Sequence, residues 1–201
     1  MKRCTAILAA NLLLISSGFA QSGDSAVAAE VSRIYPEIEK LYIDLHQTPE
    51  LSLQEEKTSA KMADALRSAG FEVTTNVGGH GVVGILRNGP GPVIMLRTDM
   101  DALPVEEKTG LPYASHVRAK DITGDDVPVM HACGHDIHMA SWVGTAKIMA
   151  STRDRWSGTL MLVGQPAEER VVGAGMMLKD GLFTRIPKPS IALILSDSRF
   201  L

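Results

Sequence analysis

The chain has 201 residues, 45% of them hydrophobic and 21% charged, a balance that supports a folded domain with a sizeable core and excludes a disordered tail. Its formal charge of −3 disfavours nucleic acid or an anionic membrane surface as a partner. Lys2 and Arg3 precede an apolar run from Ala6 to Ile15 and the small residues Ser16, Ser17, Gly18 and Ala20. This order predicts a secretory signal peptide over residues 1–20, so the expected product is exported, periplasmic or secreted. The apolar run is too short to span a bilayer, and no membrane span is expected once the leader is removed. Loss of Lys2 and Arg3 takes the charge from −3 to −5, and loss of Cys4 leaves Cys133 as the single cysteine of residues 21–201. A lone thiol in an oxidising compartment has no internal disulfide partner, and metal ligation is the best reason for it to persist.

From Ser25 to Gln47 the apolar residues fall mostly at helical spacing, with Pro36 expected to kink the helix or start a new one. Thr48-Pro49-Glu50-Leu51 breaks the pattern. A second helix is expected to open on the capping box Ser52-Leu53-Gln54-Glu55 and to stop at Gly70. Phe71–Val77 and Val82–Arg87 read as strands around a glycine turn. Pro92–Thr98 is an almost continuous apolar run that suits a central, doubly buried strand ending at Asp99-Met100-Asp101. Residues 102–130 read as an irregular loop. Ile137–Met149 is expected to be a helix with Met139, Val143, Ala146 and Met149 on its buried face. Thr159–Gly164 is a further strand, Gly175–Leu182 a short helix and Ile191–Leu195 a last strand. The interleaving predicts an α/β fold with a mostly parallel sheet flanked by helices and some antiparallel pairing early in the chain.

The chemistry concentrates in His131-Ala132-Cys133-Gly134-His135-Asp136-Ile137-His138. Residues two apart on extended backbone project to one side, so Cys133 and His135 can reach one ion, with His131 next in the row. Gly134 leaves the backbone free to bend. Ligands of α/β sheets gather beyond the carboxyl ends of strands, where Asp99 follows one strand and Glu168-Glu169 follow another. Of two adjacent carboxylates, one can bind metal while its neighbour faces water, and Asp99 can act as a supporting carboxylate.

Four ordered stretches carry a resemblance: Arg97-Thr98-Asp99-Met100-Asp101-Ala102-Leu103-Pro104, Thr109-Gly110-Leu111-Pro112-Tyr113, Met130-His131-Ala132-Cys133-Gly134-His135-Asp136, and Gln165-Pro166-Ala167-Glu168-Glu169. From about Ile34 to Leu195 the chain resembles the amidohydrolase branch of the aminoacylase and carboxypeptidase metallopeptidase family, the branch of hippurate hydrolases and indoleacetyl-amino-acid hydrolases. The resemblance implies a catalytic domain holding two divalent ions, zinc or manganese, and hydrolysis of the amide bond of N-acyl amino acids or small peptides. It implies Cys133, His135 and Glu169 as metal ligands, Glu168 as general base and Asp99 as supporting carboxylate, with His131 a neighbour of the ligands and His138 a helix residue. The family's later metal-binding histidines have no counterpart in Ser196–Leu201, where Asp197 is a weak substitute. The family's lid and dimerisation domain is expected to be absent. Residues 21–201 therefore resemble a partial catalytic domain, expected to come from a truncated and impaired copy. The alternative expectation is that such a chain binds one ion or none, as an inactive metal-binding fragment needing a complementing chain to complete its sheet.

Overall fold

The computed structural model describes residues 18–195, with side chains from residue 25 onward. Most of the expected leader, Cys4, and the stretch Ser196–Leu201 with Asp197 lie outside the described residues. Five strands form one sheet in the order β1 (Glu72–Val77), β2 (Gly81–Asn88), β6 (Gly158–Gln165), β3 (Val93–Asp99), β7 (Ile191–Ile194). The sheet is mixed: β1 with β2 and β2 with β6 run antiparallel, whereas β3 runs parallel to both β6 and β7. The α/β class is as expected, and the antiparallel share extends into the middle of the sheet.

Period-two alternation divides the strand side chains between two cores. Val82, Leu86, Leu160 and Leu162 face a layer holding Leu45, Met62, Leu66, Met139 and Trp142. Val83, Ile85, Met161 and Val163 face Met177 and Leu182 on the other side. β6 is thus the central strand, and it and β2 are buried on both faces. β3 is half-buried from Val93 to Arg97, because it lies one strand from the β7 edge, and Ile191, Leu193 and Ile194 of β7 are exposed.

The first layer is built from α1 (Gly18–Gln47), α2 (Glu56–Ser68) and α3 (His135–Ser151). Helix α1 continues through Pro36 instead of breaking there. An interior proline costs about 3 kcal/mol, and burial of Ile34 and Leu45 with packing of Ile38 and Leu41 on the core offsets it. Helix α2 begins at Glu56, and neither Ser52 nor Glu55 caps it. Glu50 takes that role: its carboxylate accepts the backbone N–H groups of Lys57 at 3.2 Å and Thr58 at 2.7 Å. Ser52 and Glu55 are drawn instead to tertiary partners. Two short strands, β4 (Arg118–Lys120) and β5 (Asp126–Pro128), form a hairpin inside the stretch read as irregular. The expected helix over Gly175–Leu182 is split into α4 (Gly173–Lys179) and α5 (Leu182–Arg185) by Gly181, which has φ of 86°.

Register places the chemistry. Asp99, the last residue of β3, pairs with Gln165, the last residue of β6, and Met100 N–H donates to the Gln165 carbonyl at 3.0 Å. The segments 99–101 and 165–169 therefore leave the sheet side by side. Bridges between Leu51 and Ala102 and between Leu103 and Met130 draw residues 50–52 and the approach to His131 to the same edge.

Candidate metal centre

Helix α3 starts at His135 on a left-handed Gly134, with φ 72° and ψ 23°. That conformation favours glycine and turns the extended Cys-His segment into the helix. The His135 ring is 7% exposed, and its Nδ1 lies 2.8 Å from the Asp101 carbonyl oxygen. A carbonyl only accepts, so Nδ1–H donates and Nε2 is left with a lone pair. Nε2 lies 3.8 Å from Oε2 of Glu168 and 3.9 Å from Oε1 of Glu169. These separations are too long for hydrogen bonds and a little wider than the roughly 3.3–3.6 Å between two donors held about 2.0–2.2 Å from a tetrahedral ion.

Three donor atoms, one each from Asp99, His135 and Glu168, lie within 4.8 Å of one another, the one such cluster among the described residues. Of the expected ligands Cys133, His135 and Glu169, His135 alone is in this cluster. Glu169 stands next to it, with a buried Oε1 that has no hydrogen-bond partner. Cys133 is exposed and free, with its thiol against the Glu169 carboxylate. Asp99 Oδ1 is likewise buried without a partner, whereas Oδ2 accepts from the Arg97 guanidinium at 3.2 Å. Two buried carboxylate oxygens without donors, an imidazole and a thiol line one cleft, a donor set that fits a divalent cation.

Electrostatics agree with that fit. Burial, against the pull of Arg97 and His135, pushes Asp99 up to about 6. Burial and the Glu169 and Glu168 carboxylates push the Cys133 thiol up to about 12. Both groups are held away from their anionic forms by their surroundings, a state that a bound cation reverses. His131 is buried, is driven down to about 4 by that burial, and has no hydrogen-bond partner on either ring nitrogen.

The adjacent glutamates differ in exposure: the Glu168 side chain is 40% exposed and that of Glu169 is 16% exposed. They line a cleft of about 540 Å³ with Tyr42, His46, Arg97 and the 131–138 segment. His138 lies on α3 beside His135, with ring centroids 6.1 Å apart.

Sequence reasoning missed four residues that hold this arrangement. Asp101 is fully buried: its carboxylate accepts Glu168 N–H and Glu169 N–H, both at 3.0 Å, and Ser52 Oγ–H at 2.6 Å. Asp101 therefore occupies the orienting position that was expected of Asp99, which instead faces the cleft. Its place two residues after Asp99, at a strand end, was the signal that could have found it. Glu55 is fully buried and accepts Ala167 N–H at 2.7 Å. Arg97 bridges Gln165 and Asp99. His46, at the end of α1, lies between Asp136 at 2.6 Å and Glu107 at 3.0 Å. Nothing local to Glu55 or His46 marks these roles.

Comparison with known proteins agrees with the geometry. Residues 95–199 match the model of peptidase family M20/M25/M40. The hippurate hydrolase of Campylobacter jejuni is 42% identical over 157 residues, covering 78% of this chain and 38% of its own length. The N-acetyl-L-cysteine deacetylase of Bacillus subtilis is 40% identical over 157 residues, covering 74% of this chain and 36% of its own length. The chain thus spans little more than a third of these relatives. Among solved structures, the YXEP protein of Bacillus subtilis, a dinuclear metal-binding peptidase of the M20 family, aligns with a TM-score of 0.72 and 34% identity over 85% of this chain and 45% of that one. The family model spans β3, the cysteine-histidine segment and the paired glutamates, the same residues that converge on the cleft, and the chain belongs to the M20/M25/M40 family of metal-dependent amidohydrolases and peptidases.

Proposed function

We propose that the chain carries residues of an amidohydrolase site that cleaves the amide bond of N-acyl amino acids or small peptides. The observation that carries this reading is the convergence of Asp99, His135 and Glu168 beside Glu169 and Cys133, with two buried carboxylate oxygens left without donors. Cys133, His135 and Glu169 would hold the metal, with Asp99 facing the same cleft. Divalent ions there supply Lewis-acid polarisation of the scissile carbonyl.

The remaining chemistry belongs to side chains of this protein. Glu168, the more exposed of the pair, takes the proton of the attacking water and returns it to the leaving nitrogen. Asp101, through the Glu168 and Glu169 amides, fixes the backbone that carries both carboxylates. Its main-chain carbonyl holds His135 Nδ1–H and so keeps Nε2 turned to the cleft.

Glu168→Gln removes the base and leaves Cys133, His135 and Glu169 in place. Hydrolysis of hippurate by the metal-loaded chain should fall by at least about 100-fold, with metal content unchanged. Turnover that survives the substitution contradicts the assignment. A second reading, a metal-binding chain without turnover, is favoured by the single three-donor cluster among the described residues. It predicts at most one ion per chain and no hydrolysis by the unaltered protein, and two ions per chain contradict it.

A further inference from the structure

Glu55 is fully buried and stands at the head of α2, 112 residues before its main partner. Its Oε1 accepts two backbone N–H groups, from Ala167 at 2.7 Å and from Leu53 at 3.0 Å. Both partners are non-glycine residues in the left-handed region, Ala167 with φ of 48° and Leu53 with φ of 70°. Such conformations persist where surrounding contacts over-determine them, and they cluster at working sites.

Ala167 is the residue before Glu168. Three consecutive amides, those of Ala167, Glu168 and Glu169, are thus each taken by a buried carboxylate from a distant part of the chain: the first by Glu55, the next two by Asp101. The loop has little slack. Val171 N–H donates to the Glu168 carbonyl at 2.7 Å, and a Cβ on Gly173 would meet the Pro166 carbonyl oxygen at 1.6 Å.

We infer that Glu55 is a positioning residue for Glu168, holding Ala167 in its left-handed turn so that the following carboxylate is aimed into the cleft. The inference rests on Glu168 being the base of the proposed amidohydrolase reaction. What matters is the reach of the Glu55 oxygen, and its charge is secondary.

Three substitutions in the full, zinc-loaded chain separate reach from charge. Glu55→Gln keeps an acceptor oxygen at the same distance, Glu55→Asp keeps the charge but withdraws the oxygen by one methylene, and Glu55→Met removes the acceptor. With hippurate, Glu55→Gln should keep kcat within about threefold of the unaltered chain. Glu55→Asp and Glu55→Met should lose roughly 30- to 100-fold in kcat, with KM within about threefold and zinc content unchanged. Hydrogen exchange at the Ala167 amide, as protected as the β6 amides in the unaltered chain, should speed up by at least about tenfold in the Asp and Met variants and not in the Gln variant.

Unaltered kcat in a folded Glu55→Asp protein overturns the inference. So does a loss in Glu55→Gln equal to that in Glu55→Asp. Should the shortened variants fail to fold, an unprotected Ala167 amide in the unaltered chain, or in Glu55→Gln, overturns it as well. Absence of hydrolysis by the unaltered chain refutes the amidohydrolase reading instead, and the exchange rates still decide whether Glu55 holds the loop.

Discussion

Asp101 shows how much a single buried side chain can organise. Its two carboxylate oxygens take three donors, Ser52 Oγ–H and the amides of Glu168 and Glu169, within 2.6–3.0 Å. Asp101→Asn replaces one acceptor oxygen with an NH₂ group that faces a donor, so a buried N–H or O–H loses its partner. The expected cost is about 2 kcal/mol of stability, read as a lower urea midpoint with unchanged slope. A midpoint equal to that of the unaltered chain would show that these bonds are not made. At this scale the sequence was legible where the signal was local. Cys133 and His135 stand two apart around a glycine, a spacing that suggests a shared ion, and of the two His135 falls in the three-donor cluster. Asp101 was marked only by its place two residues after Asp99, and Glu55 by nothing local, because their partners lie 67 and 112 residues further on. Ser52 and Glu55 matched a helix cap by residue type, yet both side chains do better against tertiary partners, which no local pattern encodes.

Helices α1 and α3 meet the loop after β3 through His46. Nδ1 faces Asp136 Oδ2 at 2.6 Å and Nε2 faces Glu107 Oε1 at 3.0 Å, and the Glu107 carboxylate also accepts Ser115 N–H at 2.6 Å. Burial pulls the His46 pKa down, but the hydrogen bonds and charges of Glu107 and Asp136 outweigh it and hold the imidazolium above its ordinary value of 6.5. A raised histidine contributes its full stabilisation below the unfolded value and loses it as pH rises through the folded one. Glu107 moves the other way. Burial raises its pKa, but its hydrogen bonds to Thr109, His46 and Ser115 bring it below 4.5, so its share is present above that value and fades as pH falls through the folded one. The network is therefore strongest between about pH 4.5 and 6.5. The stability lost in His46→Gln, measured by urea unfolding, should be largest near pH 6 and shrink steadily towards pH 9. A loss that does not change with pH contradicts an ionised His46. The elements themselves were legible where periodicity was long or alternation strict, as in α3 and β6. Pro36 starts no new helix because helix packing outweighs its local penalty, and β4 and β5 were missed because each has only three residues.

In the whole molecule, the parallel pairing of β3 with β6 sets Asp99 beside Gln165, and the crossover between them delivers the cysteine-histidine segment to the same edge. This is the general site of α/β sheets, beyond the carboxyl ends of adjacent parallel strands. The sheet class and that convergence could be read from the order of strands and helices. The true centre of the sheet could not, since β2 pairs with β6 across 69 intervening residues and makes β6, in place of β3, the central strand. Among the described residues no helix is long and apolar enough to cross a membrane, and Ile191, Leu193 and Ile194 of β7 are exposed. The central claim, that Cys133 joins His135 and the paired acids around a divalent cation, is tested most directly by X-ray absorption on the zinc-loaded chain. The account predicts a sulfur scatterer at about 2.3 Å from zinc, together with nitrogen and oxygen, and its loss in Cys133→Ser. A zinc shell of nitrogen and oxygen alone in the unaltered chain would contradict it.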